Sequence, residues 1–214
     1  CSSILIASVF SHLAAADEPQ FDDFSLTQIS EFQQMSNQIA DQINQPFFRH
    51  ILNSAGTERF PQYQFEAVRL GIGLYGISFK NNQTIRQVAT LRSRVMQVKE
   101  IDEGQTVGYS RNGKINRKSA IATIPIGYAD GYRRCLGNRK GKMLINVHLV
   151  PTIGNVCMDM CMLDVTEANV KAGDEVLIFG EELPLSIIAA DMSTIPYEVL
   201  TSISSRIKRV YFRE

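Results

Sequence analysis

Ile4-Leu-Ile-Ala-Ser-Val-Phe10 is the stretch on which the fold turns. It carries no charge and is too short for a helix of ordinary length. Apolar throughout rather than alternating, it reads as a parallel strand covered on both faces. A polar loop follows at Asp17–Asp23, and Ser25-Leu-Thr-Gln28 reads as a capping box opening a helix. Behind the box, Ile29, Phe32, Ile39 and Ile43 recur at helical spacing through a segment without Gly or Pro. Phe47–Leu52 gives a second strand and Val68–Tyr75 a third, with a short helical stretch at Gln62–Ala67 between them. This is βα repetition, the pattern of an α/β fold.

A βαβ unit takes roughly 30 residues and a closed eightfold barrel about 250. Residues 1–86 therefore hold around a third of such a (β/α)8 barrel, a partial barrel that cannot close alone. Such a piece exposes its strand edges and should be disordered, rearranged or covered by a second copy. Residues 87–214 differ in texture. Val88–Val98, Ser119–Ile126, Lys142–Val150, Met160–Val165 and Glu175–Phe179 are β-type runs split by Gly, Asn and Asp. They predict a mainly antiparallel, barrel-like β domain. Lys171-Ala-Gly-Asp174 reads as a turn, Ser186 as the cap of a helix through Met192, and Pro196 as the start of one at Tyr197–Ile203. Ile207–Phe212 reads as a closing strand.

Lys+Arg and Asp+Glu each number 22, so no bulk charge draws the chain to nucleic acid or a membrane. The basic runs Arg111–Lys118 and Arg133–Lys142 read as solvated loops. Four cysteines, Cys1, Cys135, Cys157 and Cys161, form no CxxC pair and no metal spacing with the three histidines. Free thiols and a cytoplasmic setting are expected. Residues 4–16 have the apolar character of a secretory signal, but no basic segment precedes them and His12 interrupts them. A buried strand of a truncated protein is the better reading, since the chain also begins without methionine.

Singly, the chemical residues are ambiguous. His12 follows a strand directly, where βα loops carry active-site groups, but a lone His there is commonly a structural hydrogen-bonder. The same holds for His50. Arg69 lies in an otherwise apolar run, where a guanidinium is costly unless paired, so function is favoured over packing. Asn53-Ser-Ala-Gly56 and Gly71-Ile-Gly73 offer bare amides and a hydroxyl of the kind that cradle phosphate. Tyr109, Tyr128 and Met158 have bland readings as a strand aromatic, a turn residue and core filler.

Together they are more specific. SHLAAADE (11–18), HILNSAG (50–56), VRLGIGLYG (68–76), VGYS (107–110), IGYADGY (126–132), IGNVCMDMCMLDVT (153–166) and PYEVLTSISSRIKRVY (196–211) resemble alanine racemases, in order and at matching separations. The resemblance implies a pyridoxal 5'-phosphate enzyme that interconverts L- and D-alanine for the cell wall. It also implies a head-to-tail homodimer in which the barrel of one subunit meets the β domain of the other. On matching positions, Arg69 would bond the pyridine nitrogen, His50 would orient Arg69, and His12 would stand beside the ring. Ser54, Gly71, Ile72 and Tyr197 would hold the phosphate, with Asn53 alongside. Tyr109 would be one of two bases, and Tyr128, Met158 and Asp159 would line the substrate side from the partner subunit.

Two departures qualify this. The family carries its Schiff-base lysine, the other base, in a segment resembling KANAYGHG, which this sequence lacks, as it lacks the barrel arginine that helps hold the substrate carboxylate. This chain by itself is therefore expected to be inactive. A third difference is Asn146-Val147, where the family's hairpin has Asn-Gly. Val resists positive φ, so a different turn type or an altered position is expected. A broad-specificity amino-acid racemase and a non-catalytic dimerisation module are the alternative readings.

Overall fold

The structure, a computed structural model, describes residues 4–43, 45–80 and 85–212. The chain forms two compact units, Cys1–Val88 and Ala89–Glu214. In the first, β1 (Ser8–Phe10), α1 (Asp22–Gln42), β2 (Phe48–His50) and α2 (Ser54–Arg59) succeed one another. β1 and β2 pair in parallel, with Phe10 opposite His50. Leu13, Ile29, Phe32, Ile51 and Leu52 form the core beneath them. This is βα architecture without barrel closure.

Several local expectations need correcting. The first strand was expected across Ile4–Phe10 and buried on both faces. It pairs only over Ser8–Phe10, and Ile4, Leu5 and Phe10 are 70%, 74% and 65% exposed. Double burial needs helices or other layers on both faces, and among the described residues β1 pairs with β2 alone in a two-stranded sheet. Ser25 is not a cap either. α1 begins at Asp22 with no side-chain cap, and Asp22 and Asp23 occupy the first turn, where the helix dipole favours negative charge. Ser25 lies inside the helix, on the buried face with Ile29, Phe32 and Ser36. Gln28 instead reaches the loop after β1: its Oε1 accepts from Ala14 N–H (3.0 Å), and its Nε2 donates to the His12 carbonyl (3.4 Å).

Nor does Val68–Tyr75 form a strand. Ala67 and Arg69 N–H groups donate to Arg49 and Leu52 carbonyls at 3.3 and 2.9 Å, so the chain starts alongside β2. It then coils into a 3₁₀ turn at Ile72–Tyr75, stopped by Gly76 at φ +84°. Three glycines in six residues remove the side chains that would hold a strand extended. The stretch expected to be helical at Gln62–Ala67 is a 3₁₀ turn at Pro61–Tyr63 followed by Phe65 at φ +50°. The helix lies earlier, at α2, where Asn53 Oδ1 caps Gly56 N–H (2.9 Å).

The second unit carries β3 (Leu91–Arg94), β4 (Gln97–Ile101), β5 (Thr106–Val107), β6 (Gly113–Lys114), β7 (Ser119–Ile124), β8 (Lys142–Ile145), β9 (His148–Pro151), β10 (Cys161–Asp164), β11 (Glu175–Phe179), α3 (Leu185–Asp191) and α4 (Pro196–Ser202). Its sheets are antiparallel and run β10-β7-β4, β3-β11-β8-β9 and β5-β6. The single run expected at Val88–Val98 is two strands in different sheets. Val95 N–H bonds to Asp174 and the next amide, Met96, to Thr123, both at 2.9 Å, so the chain changes sheet between them.

Lys142–Val150 is a hairpin. Register Ile145↔His148 leaves Asn146 and Val147 as its two-residue loop, at φ +47° and +64°. The expected avoidance of positive φ at Val147 is overturned, because a tight hairpin between twisted strands requires left-handed residues at both positions. Ser186 is exposed and does not cap α3, whose N-cap is Pro184. Pro196 does open α4. Ile207–Phe212 joins no sheet, and Tyr211 and Phe212 are 90% and 87% exposed. No helix among the described residues is long and apolar enough to cross a membrane.

Candidate active site

The first unit gathers its chemical side chains around Arg69. The guanidinium Nη1 donates to His50 Nδ1 (2.5 Å) and to the His50 carbonyl (3.0 Å). Nη2 donates to the carbonyls of Ser11 (2.7 Å) and Ile51 (3.3 Å) and lies 3.3 Å from His12 Nδ1. Phe10 stacks flat on the His50 ring at 5.4 Å and lies under the guanidinium at 5.3 Å. These contacts follow from the parallel register, which sets Phe10 opposite His50 and leaves Ser11 and His12 at the end of β1.

Among the described residues, no carboxylate lies within salt-bridge distance of Arg69, so its partners are neutral acceptors and an aromatic face. Burial lowers its pKa from the ordinary arginine value. His50 is pushed below its ordinary value first by burial and then by the Arg69 charge. Neutral, it accepts at Nδ1 and leaves its proton at Nε2.

Ser54 is 3% exposed and stands at the start of α2. Its Oγ accepts from the Gly71 (2.8 Å) and Gly73 (3.2 Å) N–H groups, which ties α2 to the 3₁₀ turn. The Gly71 amide, expected to face a phosphate, is thus engaged by Ser54. Asn53 is occupied as the cap of α2. The Ile72 N–H and the Ser54 hydroxyl proton have no acceptor among the described residues.

In the second unit, Tyr109 sits at the tip of the β5–β6 hairpin and is 69% exposed. Gly108 takes φ +77° there, and a Cβ on it would stand 3.0 Å from the Met162 side chain. Asn155 Nδ2 holds the Tyr109 carbonyl (3.1 Å), while its Oδ1 accepts from Asn138 (3.0 Å) and Asn112 (3.3 Å). Tyr128 N–H and Ala129 N–H donate to the Cys157 and Met158 carbonyls, both at 3.0 Å. The segment 155–158 thus anchors both tyrosine-bearing turns. Tyr128 and Met158 are exposed by 42% and 53%, Asp159 is ion-paired to Arg206 at 2.6 Å, and Tyr197 lies on α4, 42% exposed.

Reading the sequence gave Gln28 the wrong partner and missed Asn155, Asp130 and Arg206. Asp130 stood within the quoted IGYADGY and Arg206 within the quoted C-terminal segment. Their partners lie 76 and 47 positions apart in the chain, beyond any local pattern. Among the described residues, no group of three or more His, Cys, Asp and Glu side chains is arranged to hold a metal.

The family model "Alanine racemase, C-terminal domain" matches residues 88–211, and "Alanine racemase, N-terminal domain" matches residues 1–79. Alanine racemase 1 of Clostridium acetobutylicum is 40% identical over 99% of this chain, and the alanine racemase of Clostridium tetani is 36% identical over the same share. This chain spans 57% of the length of each. Among solved structures, alanine racemase from Bartonella henselae with covalently bound pyridoxal phosphate superposes with a TM-score of 0.88 at 34% identity, covering 97% of this chain and 57% of that one. The Clostridium difficile 630 enzyme in complex with cycloserine gives 0.86 at 33%, covering 95% and 56%. Both units thus match a single family in sequence and fold, and the chain belongs to the alanine racemases.

Proposed function

We propose that this chain works as part of an alanine racemase, interconverting L- and D-alanine with pyridoxal 5'-phosphate once joined to the barrel strands it does not contain. The observation that carries the reading is the half-buried Arg69, a permanent cation held by neutral partners. A cation that finds no counter-ion among the described residues, at the ends of parallel strands, suits a ligand that accepts a hydrogen bond there without taking the proton. The Ser54 proton and the Ile72 amide fit the phosphate of the same ligand, and so does their closeness to each other through the Gly71 and Gly73 bonds. When bound, the cofactor supplies an electron sink that makes the α-proton of an amino acid removable.

This chain's residues then have distinct tasks. Arg69 keeps its proton and offers it to the ring nitrogen, because guanidinium is far less acidic than a pyridinium. Neutral His50 aims Arg69 through Nδ1, and the Phe10 ring fixes the His50 plane. His12 stands on the other amino group of Arg69. Tyr109 takes the α-proton at its Oη from one face of the substrate in one direction and gives a proton there in the reverse direction, while a lysine outside this chain gives or takes the matching proton on the other face. Tyr128, Met158 and Asp159 narrow the approach, so preference for alanine is steric. High exposure of Tyr109, Tyr128 and Met158 supports their completing the site of a second copy in a homodimer. Free thiols at Cys135, Cys157 and Cys161 fit the cytoplasm, where D-alanine is made for peptidoglycan.

The test is to fuse this chain to the preceding barrel strands, load the product with cofactor and follow alanine interconversion by circular dichroism. Tyr109→Phe should slow racemisation by about 100-fold or more, the scale of a lost general base. An unchanged rate rejects the assignment. The 214-residue chain alone should retain no cofactor after borohydride reduction, since the lysine is absent.

A further inference from the structure

Tyr128 and Met158 stand on separate turns that are joined by the Tyr128 N–H and Ala129 N–H bonds to the Cys157 and Met158 carbonyls. Gly127 packs so tightly that a Cβ on it would lie 2.3 Å from both the Cys157 and Met158 carbonyl oxygens. Next to it, Asp130 is 4% exposed. One of its oxygens accepts from Gly127 N–H (2.8 Å) and the other from Arg206 Nε (2.6 Å). A buried carboxylate is tolerated only with such donors around it. Burial by itself would raise the Asp130 pKa, but the Arg206 hydrogen bond, the Gly127 amide and the Arg206 charge hold it below the usual value.

The same guanidinium reaches the other turn. Arg206 Nη2 donates to Asp159 Oδ1 (2.6 Å), immediately after Met158. Arg206 follows α4, and the Ser204 N–H of that segment donates to the Asp130 carbonyl (3.1 Å). One planar fork therefore spans a carboxylate behind Tyr128 and a carboxylate beside Met158. An ammonium has no comparable pair of divergent donors on fixed axes.

We propose that Arg206 is a positioning residue that cross-links the Tyr128 and Met158–Asp159 turns and thereby sets the width of the entrance that restricts the enzyme to small amino acids. The proposal rests on the racemase reading above. Arg206 acts through the two aspartates, not by contact with the reacting atoms.

The test has two arms. In the fused, cofactor-loaded racemase, Arg206→Gln and Arg206→Lys should raise KM for L-alanine about 5-fold while changing kcat by less than about 3-fold. They should also lower the alanine-to-serine ratio of kcat/KM by about 10-fold, the discrimination of a pocket that gains a small group's width. Asp159→Asn, at an exposed position, should relax the ratio in the same direction. In the 214-residue chain, Arg206→Gln should speed amide exchange at Tyr128 and Ala129 by about 10-fold and leave the β7 amides unchanged. An unaltered alanine-to-serine ratio in a folded variant overturns the proposal, as does a fall in kcat at constant KM. Unaltered exchange at Tyr128 and Ala129 overturns it too. A wild-type fusion without racemase activity would instead defeat the functional reading, with the exchange arm still deciding the cross-link.

Discussion

Val147 is 90% exposed and sits at φ +64° in a two-residue hairpin loop whose other member, Asn146, is bonded to Asp174 at 2.8 Å. A β-branched residue there carries backbone strain on the order of 1–3 kcal/mol that no contact of its own side chain repays. Val147→Gly should therefore stabilise the chain by about 1 kcal/mol and raise the melting temperature by about 2–4 °C, as a thermal melt followed by circular dichroism would show. Ser54→Ala should do the opposite. It removes the shared acceptor of the part-buried Gly71 and Gly73 amide bonds and should cost about 1 kcal/mol in a urea titration. Glu66 makes a two-pronged bond to Arg49 and accepts the Arg49 backbone N–H. The Arg49 hydrogen bond holds its pKa down at about 2, from the model-peptide value of 4.5. With the folded value depressed, the pair stabilises fully above about pH 4.5 and is lost as pH falls toward 2. Unfolding measured between pH 5 and 2 should show a loss of stability that is smaller in Glu66→Gln.

At the scale of elements, α2 shows what periodicity misses. Its six residues are too few to display a repeat, and its start is signalled only by Asn53. Asn53→Ala should cost about 1 kcal/mol and Asn53→Asp much less, measured by chemical denaturation, because an aspartate can still accept from Gly56 N–H. α1 was legible from Ile29 and Phe32, but its start was not, since Ser25 satisfies the pattern of a cap while lying on the buried face. Likewise the run at Val88–Val98 has strand character throughout. Nothing local marks Val95 and Met96 as bonding to separate sheets.

For the molecule as a whole, the first unit offers an open two-stranded parallel sheet with Ile4, Leu5, Phe10 and Phe48 exposed. Parallel strands are ordinarily covered on both faces, and an uncovered apolar edge invites pairing with another chain. The isolated chain should associate as its concentration rises, as sedimentation velocity would detect. Phe48→Lys, at 60% exposure, should weaken that association without unfolding the unit. The sequence alone determined the family and the order of the α/β and β parts, because those are carried by residue type and by short motifs in fixed order, and it named the candidate chemical residues. Tertiary structure alone decided that Arg69 meets two imidazoles rather than a carboxylate, that Ser54 takes the Gly71 amide, and that Arg206 joins Asp130 to Asp159. Hydrogen bonds between positions 17 to 76 apart depend on how strands and turns are brought together, and a linear pattern holds no record of distance in space.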